Sequence, residues 1–143
     1  MLAAGDDLHG LLEESLRFLV APLRFHHKKL RPNSGGAGRH RGGLGQEILI
    51  ESRSDTPIAV SFLAERTIFP AFGIEGGTDG APGELRINGK KTDPKKQYVL
   101  QKGDTVSLGT PGGGGHGDAK QRNESALAAD IAAGYVTERR AYR

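Results

Sequence analysis

Two glycine-dense segments constrain this chain more than any other feature: Asn33-Ser-Gly-Gly-Ala-Gly-Arg-His-Arg-Gly-Gly-Leu-Gly45 and Gly109-Thr-Pro-Gly-Gly-Gly-Gly-His-Gly-Asp118. Glycine loses more backbone freedom on folding than any other residue. Concentrating it is costly unless the backbone must take a positive φ or come very close to something. Both segments therefore read as ordered, shaped turns. Gly35, Gly36, Gly38, Gly42 and Gly43 shape the first, and Gly112, Gly113, Gly114, Gly115 and Gly117 the second.

With 143 residues, 36% of them hydrophobic and no tryptophan, the chain can bury only a modest core. Its 22 glycines and 7 prolines point to many short elements joined by long loops. The lack of cysteine excludes disulfides, thiolate metal ligands and a thiol nucleophile, and it fits a reducing compartment. The amino-terminal apolar run is broken by Glu13, Glu14 and Arg17 and has no basic flank, so neither a signal peptide nor a membrane span is expected; the expected location is cytoplasmic. The net charge of +3 is unevenly placed, with seven Arg or Lys and no acid between Ser15 and Gln46. That run is either a solvated loop face or a basic stretch for nucleic acid or an acidic surface.

Leu8, Leu11, Leu12, Leu16 and Leu19 recur at helical spacing, which predicts an amphipathic helix ended by Pro22. Leu23 to Leu30, Glu47 to Ser52, Pro57 to Ala64, Glu84 to Ile87, Tyr98 to Leu100 and Thr105 to Leu108 read as strands. Ser-Asp-Thr between the second and third, and Lys102-Gly-Asp104 between the last two, read as hairpin loops; Asn88-Gly89 marks a tight turn. Gly76 to Gly83 is a further loop. Asn123 or Ser125 caps an alanine-rich helix that Gly134 terminates, and Thr137 can open a last short turn. The expected class is α+β: a mostly antiparallel β core with long glycine-rich loops and helices at both ends. The chain divides into a helical lead-in, 1–21, and a domain, 22–143.

Simple chemical motifs carry little. Gly112-x-Gly114-x-x-Gly117 fits the dinucleotide fingerprint in letters, but Asp118 sets a negative charge where phosphate would sit, and no second strand with a ribose-binding acid follows. His26 and His27, adjacent on a strand, face opposite ways and do not share an ion. A histidine metal site would need His40 and His116 to converge with a carboxylate such as Asp118, and no spacing demands it; no metal site is expected. Ser34 and the threonines sit in no nucleophile elbow. Arg41-Gly42-Gly43 is a single unit of the kind repeated in RNA-binding tails, and no aromatic lies between Arg31 and Ile50.

Four ordered strings are more specific. Leu30 to Gly45, Phe72-Gly-Ile-Glu-Gly-Gly-Thr-Asp-Gly-Ala-Pro-Gly83, Leu100-Gln-Lys-Gly-Asp104 and Thr110 to Asp118 together resemble the carboxyl-terminal part of hydantoinase B/5-oxoprolinase proteins. Asp130-Ile-Ala-Ala-Gly-Tyr-Val-Thr-Glu138 extends the resemblance, which covers about Leu23 to Tyr142. It implies an ATP-dependent amidohydrolase that opens cyclic amides such as 5-oxoproline or hydantoins, a step of glutathione metabolism in the first case; related carboxylases share the architecture. It implies ATP and a divalent metal for the full enzyme and neither for this chain alone. It also implies two partners: an upstream B-type portion, which carries the family's acidic and histidine metal ligands, and an A-type subunit or domain that activates the ring amide by phosphorylation. His116 stands where the family commonly has Tyr, and residues 1–20 do not resemble it. The chain thus reads as a fragment, expected to be inactive alone. Arg39, His40, Arg41 and His116 are the expected contacts of an anionic group, carboxylate or phosphate. The competing class is a catalytically inactive interaction module with a basic, nucleic-acid-binding stretch.

Overall fold

The computed structural model describes residues 22–137 and 139–142. The predicted helix over Leu8 to Val20 and the lead-in 1–21 lie outside them. Among the described residues seven strands, β1 (Leu23–Leu30), β2 (Gln46–Ser52), β3 (Ile58–Ser61), β4 (Glu84–Ile87), β5 (Lys90–Lys91), β6 (Gln97–Leu100) and β7 (Thr105–Gly109), are followed by one α-helix, α1 (Glu124–Ala132), with a short 3₁₀ turn on either side of it. β1, β2, β7, β4 and β5 form one antiparallel sheet in that order, and β3 pairs with β6 in a second. The α+β expectation holds on these grounds.

Leu85, Leu100 and Val106 are buried in one cluster, and Val60, Phe62, Ile87 and Leu108 pack around it. These residues come from β3, β4, β6 and β7 and the loop after β3, so the core lies where the two sheets meet. The Asn88-Gly89 turn forms as expected: both residues take positive φ, 50° and 76°, which suits the tight connection of β4 to β5.

Two predicted hairpins are not formed. β2 pairs with β1 and β7, and β3 crosses to β6, so the 47–52 and 57–64 stretches are not partners; β3 is also shorter than expected. Likewise β6 and β7, joined at Gly103 (φ 88°), diverge into different sheets. Local turn chemistry marked both corners correctly. Tertiary pairing decided the partners: β7 fills the β2 edge, and β3 and β6 swing away together, leaving Leu100 to close the core.

The carboxyl-terminal helix follows its signals. Asn123 Oδ1 accepts from the amides of Ser125 at 2.9 Å and Ala126 at 3.3 Å, and Gly134 (φ 71°) ends the helix. The tail is then tied back: Asn33 donates to Thr137 Oγ1 through Nδ2 at 2.5 Å and accepts from the Thr137 amide at 2.8 Å.

Candidate functional site

The five-stranded sheet delivers the glycine segments to one place. Leu30 pairs with Gln46, and Gly109 pairs with both Glu47 and Glu84. The end of β1, the start of β2, the end of β7 and the start of β4 therefore lie side by side, and the segments leaving them must meet. Three segments do so, 31–45, 72–83 and 110–118, where two were expected to dominate; the glycines of 72–83 were a readable sign of the third.

Backbone packs on backbone here. A Cβ on Gly112 would stand 1.8 Å from the Ser34 carbonyl oxygen, one on Gly114 1.9 Å from that of Phe72, and one on Gly36 2.0 Å from that of Thr78. No real Cβ fits. Close approach rather than unusual φ is thus the reason for most of these glycines; of those named above as shaping the turns, Gly117 alone has a positive φ, 74°. Gly43 differs, with nothing within 4 Å of its Cβ position.

The same packing engages most amides of the second segment. Gly112 N–H donates to Ala81 O, Gly113 to Gly43 O, Gly115 to Thr78 O, His116 to His40 O and Gly117 to Ile74 O, at 2.9–3.0 Å. Five of the six amides of 112–117 are thus bonded to carbonyls and do not converge on an oxyanion, so the segment is not built as a phosphate cradle. Ser34, 1% exposed, is similarly occupied: its hydroxyl donates to Arg31 O at 2.7 Å and accepts from the Gly45 amide at 2.9 Å.

At the rim of this bundle His40 and His116 converge. Their backbones bond to each other in both directions at 2.9 Å, and their rings stack with centroids 5.7 Å apart and planes inclined by 29°. The carboxylate beside them is Glu75, whose Oε2 is 3.0 Å from His116 Nε2, and not Asp118, which caps the 3₁₀ turn Ala119–Gln121. Arg39 is exposed next to His40, its side chain running over Gly117, and has no ion-pair partner among the described residues.

Arg41 lies behind this face. Its guanidinium reaches Asp130 through Nε at 3.0 Å and Nη2 at 3.3 Å, donates to Gly42 O at 2.7 Å, and sits 5.7 Å from the Tyr135 ring centre. Asp130 also takes Arg122, which stacks over Tyr142 and donates to Arg39 O at 3.5 Å. Burial pushes the Asp130 carboxyl up, but the hydrogen bonds and charges of the two arginines outweigh it and hold it below the ordinary aspartate range. Asp130 and Arg122 were given no role by sequence reading. Asp130 stands within a family-like string, but nothing local pairs it with an arginine 89 residues away.

Part of the basic run is engaged by its surroundings. His27 and Lys29 meet Glu47, His26 meets Glu51, and Arg31 donates to Pro82 O and Thr110 O. Among the described residues no group of three or more His, Asp or Glu is arranged to hold a metal ion, and no helix is long and apolar enough to cross a membrane.

Comparison with known proteins fits this architecture. Residues 19–119 match the family model described as Hydantoinase B/oxoprolinase. The chain is 37% identical over 103 residues to 5-oxoprolinase 1 of Arabidopsis thaliana, covering 67% of this chain and 8% of that protein. It is 30% identical over 125 residues to caprolactamase subunit beta of Pseudomonas jessenii, covering 81% of this chain and 21% of the relative. The crystal structure of the ATP-dependent caprolactamase from that organism superposes with a TM-score of 0.68 at 30% identity, over 89% of this chain and 22% of that one. A nucleotide-free acetone carboxylase structure superposes with a TM-score of 0.71 at 23% identity, over 89% of this chain and 22% of that one, and shares the fold. The chain thus spans about a fifth or less of the length of these proteins.

Proposed function

The chain belongs to the hydantoinase B/oxoprolinase family, and from that footing we propose that it serves as the carboxyl-terminal part of an ATP-dependent hydrolase of cyclic amides, 5-oxoproline or a hydantoin-like ring. The names of its relatives, 5-oxoprolinase and caprolactamase subunit beta, support that general reaction, and "subunit beta" supports work alongside a second subunit. The observation that carries the reading is the three-segment glycine bundle, which stacks the rings of His40 and His116 and holds exposed Arg39 beside them on the same backbone ladder, over Gly117.

On this reading Arg39, with His40 and His116, contacts an anionic group of the substrate or of its phosphorylated form, because a guanidinium fork suits a carboxylate or phosphate. Glu75 orients His116 from the side. Arg41 acts from behind, since its guanidinium is committed to Asp130. Among the described residues no His, Asp and Glu cluster fits a metal ion, and five of the six amides of 112–117 are bonded to carbonyls. Phosphorylation of the ring amide therefore belongs, on this proposal, to the A-type partner, with ATP and metal held outside the present chain. Lys29, Arg31 and Arg41 of the basic stretch are engaged by carboxylates or carbonyls, which favours this reading over a nucleic-acid-binding module.

The test is a chimera of the Pseudomonas jessenii caprolactamase subunit beta in which this chain replaces the matched segment. It is assayed with its partner subunit for ATP-dependent ring opening. Arg39→Ala is expected to lower kcat/KM about tenfold to a hundredfold, the range for a lost hydrogen bond to a charged group. Unchanged kinetics would remove Arg39 from the site. The 143-residue chain alone is expected to hydrolyse no ATP in the presence of 5-oxoproline.

A further inference from the structure

Leading into the third segment of the glycine bundle, the stretch that follows β3 exposes large apolar side chains: Leu63 is 94% exposed, Ile68 78%, Phe69 74%, Phe72 68% and Ile74 59%. Ile68, Phe69 and Phe72 line one open groove of about 550 Å³, with Pro70 between them and the Glu65–Lys95 ion pair, 2.9 Å, at its edge. Contiguous apolar surface of this kind marks an interaction site.

We infer that this groove docks polypeptide, and that its occupant is the B-type polypeptide making up the four-fifths of the caprolactamase relative with no counterpart in this chain. Three observations select that occupant. First, Glu65 and Lys95 at the groove are paired with each other, so of its polar lining only Arg66 and Thr67 are left to orient a small ligand, against the apolar Ile68, Phe69, Pro70 and Phe72. Second, the structural match uses 89% of this chain but 22% of the relative, so a much larger polypeptide must find surface to pack on. Third, apolar, core-like faces are what permanent interfaces use. The inference rests on family membership and not on the chemistry proposed above.

Two preparations test it, neither read out by turnover. In the 143-residue chain, Phe69→Asp with Phe72→Asp is expected to leave the thermal midpoint unchanged and to cut binding of an apolar-surface dye severalfold. In the caprolactamase chimera the same pair is expected to lower the midpoint by several degrees or drive the subunit into aggregates. Equal destabilisation of the isolated chain would overturn the inference by assigning the patch to its own core. An unaffected chimera would overturn it by leaving the face in water. An isolated chain that sediments as a dimer, dissociated by the aspartates, would make a second copy the occupant. Should the wild-type chimera fail to fold, aspartates at the aligned positions of the intact caprolactamase subunit decide: loss of stability supports the inference, and none overturns it.

Discussion

The glycine bundle and the stretch from Leu63 to Ile74 overlap in sequence yet present opposite solutions to packing. In the bundle, three segments approach so closely that side chains are excluded, and the amides are bonded to carbonyls of neighbouring segments. Before the bundle, along 63–72, Leu63, Ile68, Phe69 and Phe72 are large and apolar, and the described residues leave them exposed. One region is complete in itself, held by backbone geometry and hydrogen bonds. The other leaves apolar surface open to solvent among the described residues. The crossing point falls at Phe72, whose carbonyl packs against Gly114 while its ring stays 68% exposed.

The largest effect that sharpens this contrast is Gly112→Ala. Its Cβ would stand 1.8 Å from Ser34 O, and that oxygen accepts from Ala81 N, so neither side can yield cheaply. A loss of about 4 kcal/mol or more is expected, enough to unfold a marginal domain, and circular dichroism at 25 °C would register it. In the exposed region Ile68→Ser, at a position 78% exposed, is expected to leave stability within about 0.5 kcal/mol. Similar losses from both would erase the contrast.

Next in size is Asp130→Ala. The carboxylate joins Arg41 of the first glycine segment to Arg122, and all three side chains are largely buried, 12%, 17% and 10% exposed. Removing it leaves two guanidiniums without their shared partner, at an expected cost of about 3 kcal/mol, read from urea midpoints. Acid should do the same reversibly. The Asp130 carboxyl is held below its unfolded value, so its contribution is fully present above the ordinary aspartate pKa. That contribution is lost as pH falls through the lower folded value. Glu47 and Glu51, lowered chiefly by hydrogen bonds from His27 and His26, lose theirs in the same direction. The acid-induced loss of stability should shrink in the Asp130→Ala variant; an unchanged profile would take Asp130 out of it.

A smaller loss, about 1 kcal/mol, is expected from Asn123→Ala, since the side chain caps two amides of α1 at the surface. That cap was legible in the sequence, as were the Asn88-Gly89 turn, the Gly134 stop and the position of nearly every strand. Each is a local choice between backbone conformations, which local residues control. Strand partners were not legible: Lys102-Gly-Asp104 fixes a turn but not whether the strands beside it stay together, and burial of Leu100 drew them apart. The convergence of His40 with His116 and of Arg41 with Asp130 was equally hidden. Both depend on which loops the sheet register brings to one edge, and separations of 76 and 89 residues leave no periodic trace. The resemblance in the four glycine-containing strings marked the segments that meet without saying how.

The smallest expected effect is the most diagnostic. Gly43 belongs to the same glycine-dense string as Gly42, and by sequence alone the two are equivalent. In the structure a Cβ on Gly42 would stand 2.0 Å from Gly113 O, whereas nothing lies within 4 Å of one on Gly43, which is exposed and has no positive φ. Gly43→Ala should therefore be neutral or stabilise by up to about 1 kcal/mol, because alanine restricts the unfolded chain more than glycine without straining the folded one. Gly42→Ala should be as damaging as Gly112→Ala. If both neighbours proved equally intolerant in thermal melts, clearance for a Cβ would not be what these glycines provide. The bundle would then owe its composition to something other than backbone packing, and its rigidity beneath His40 and His116 would need a different cause.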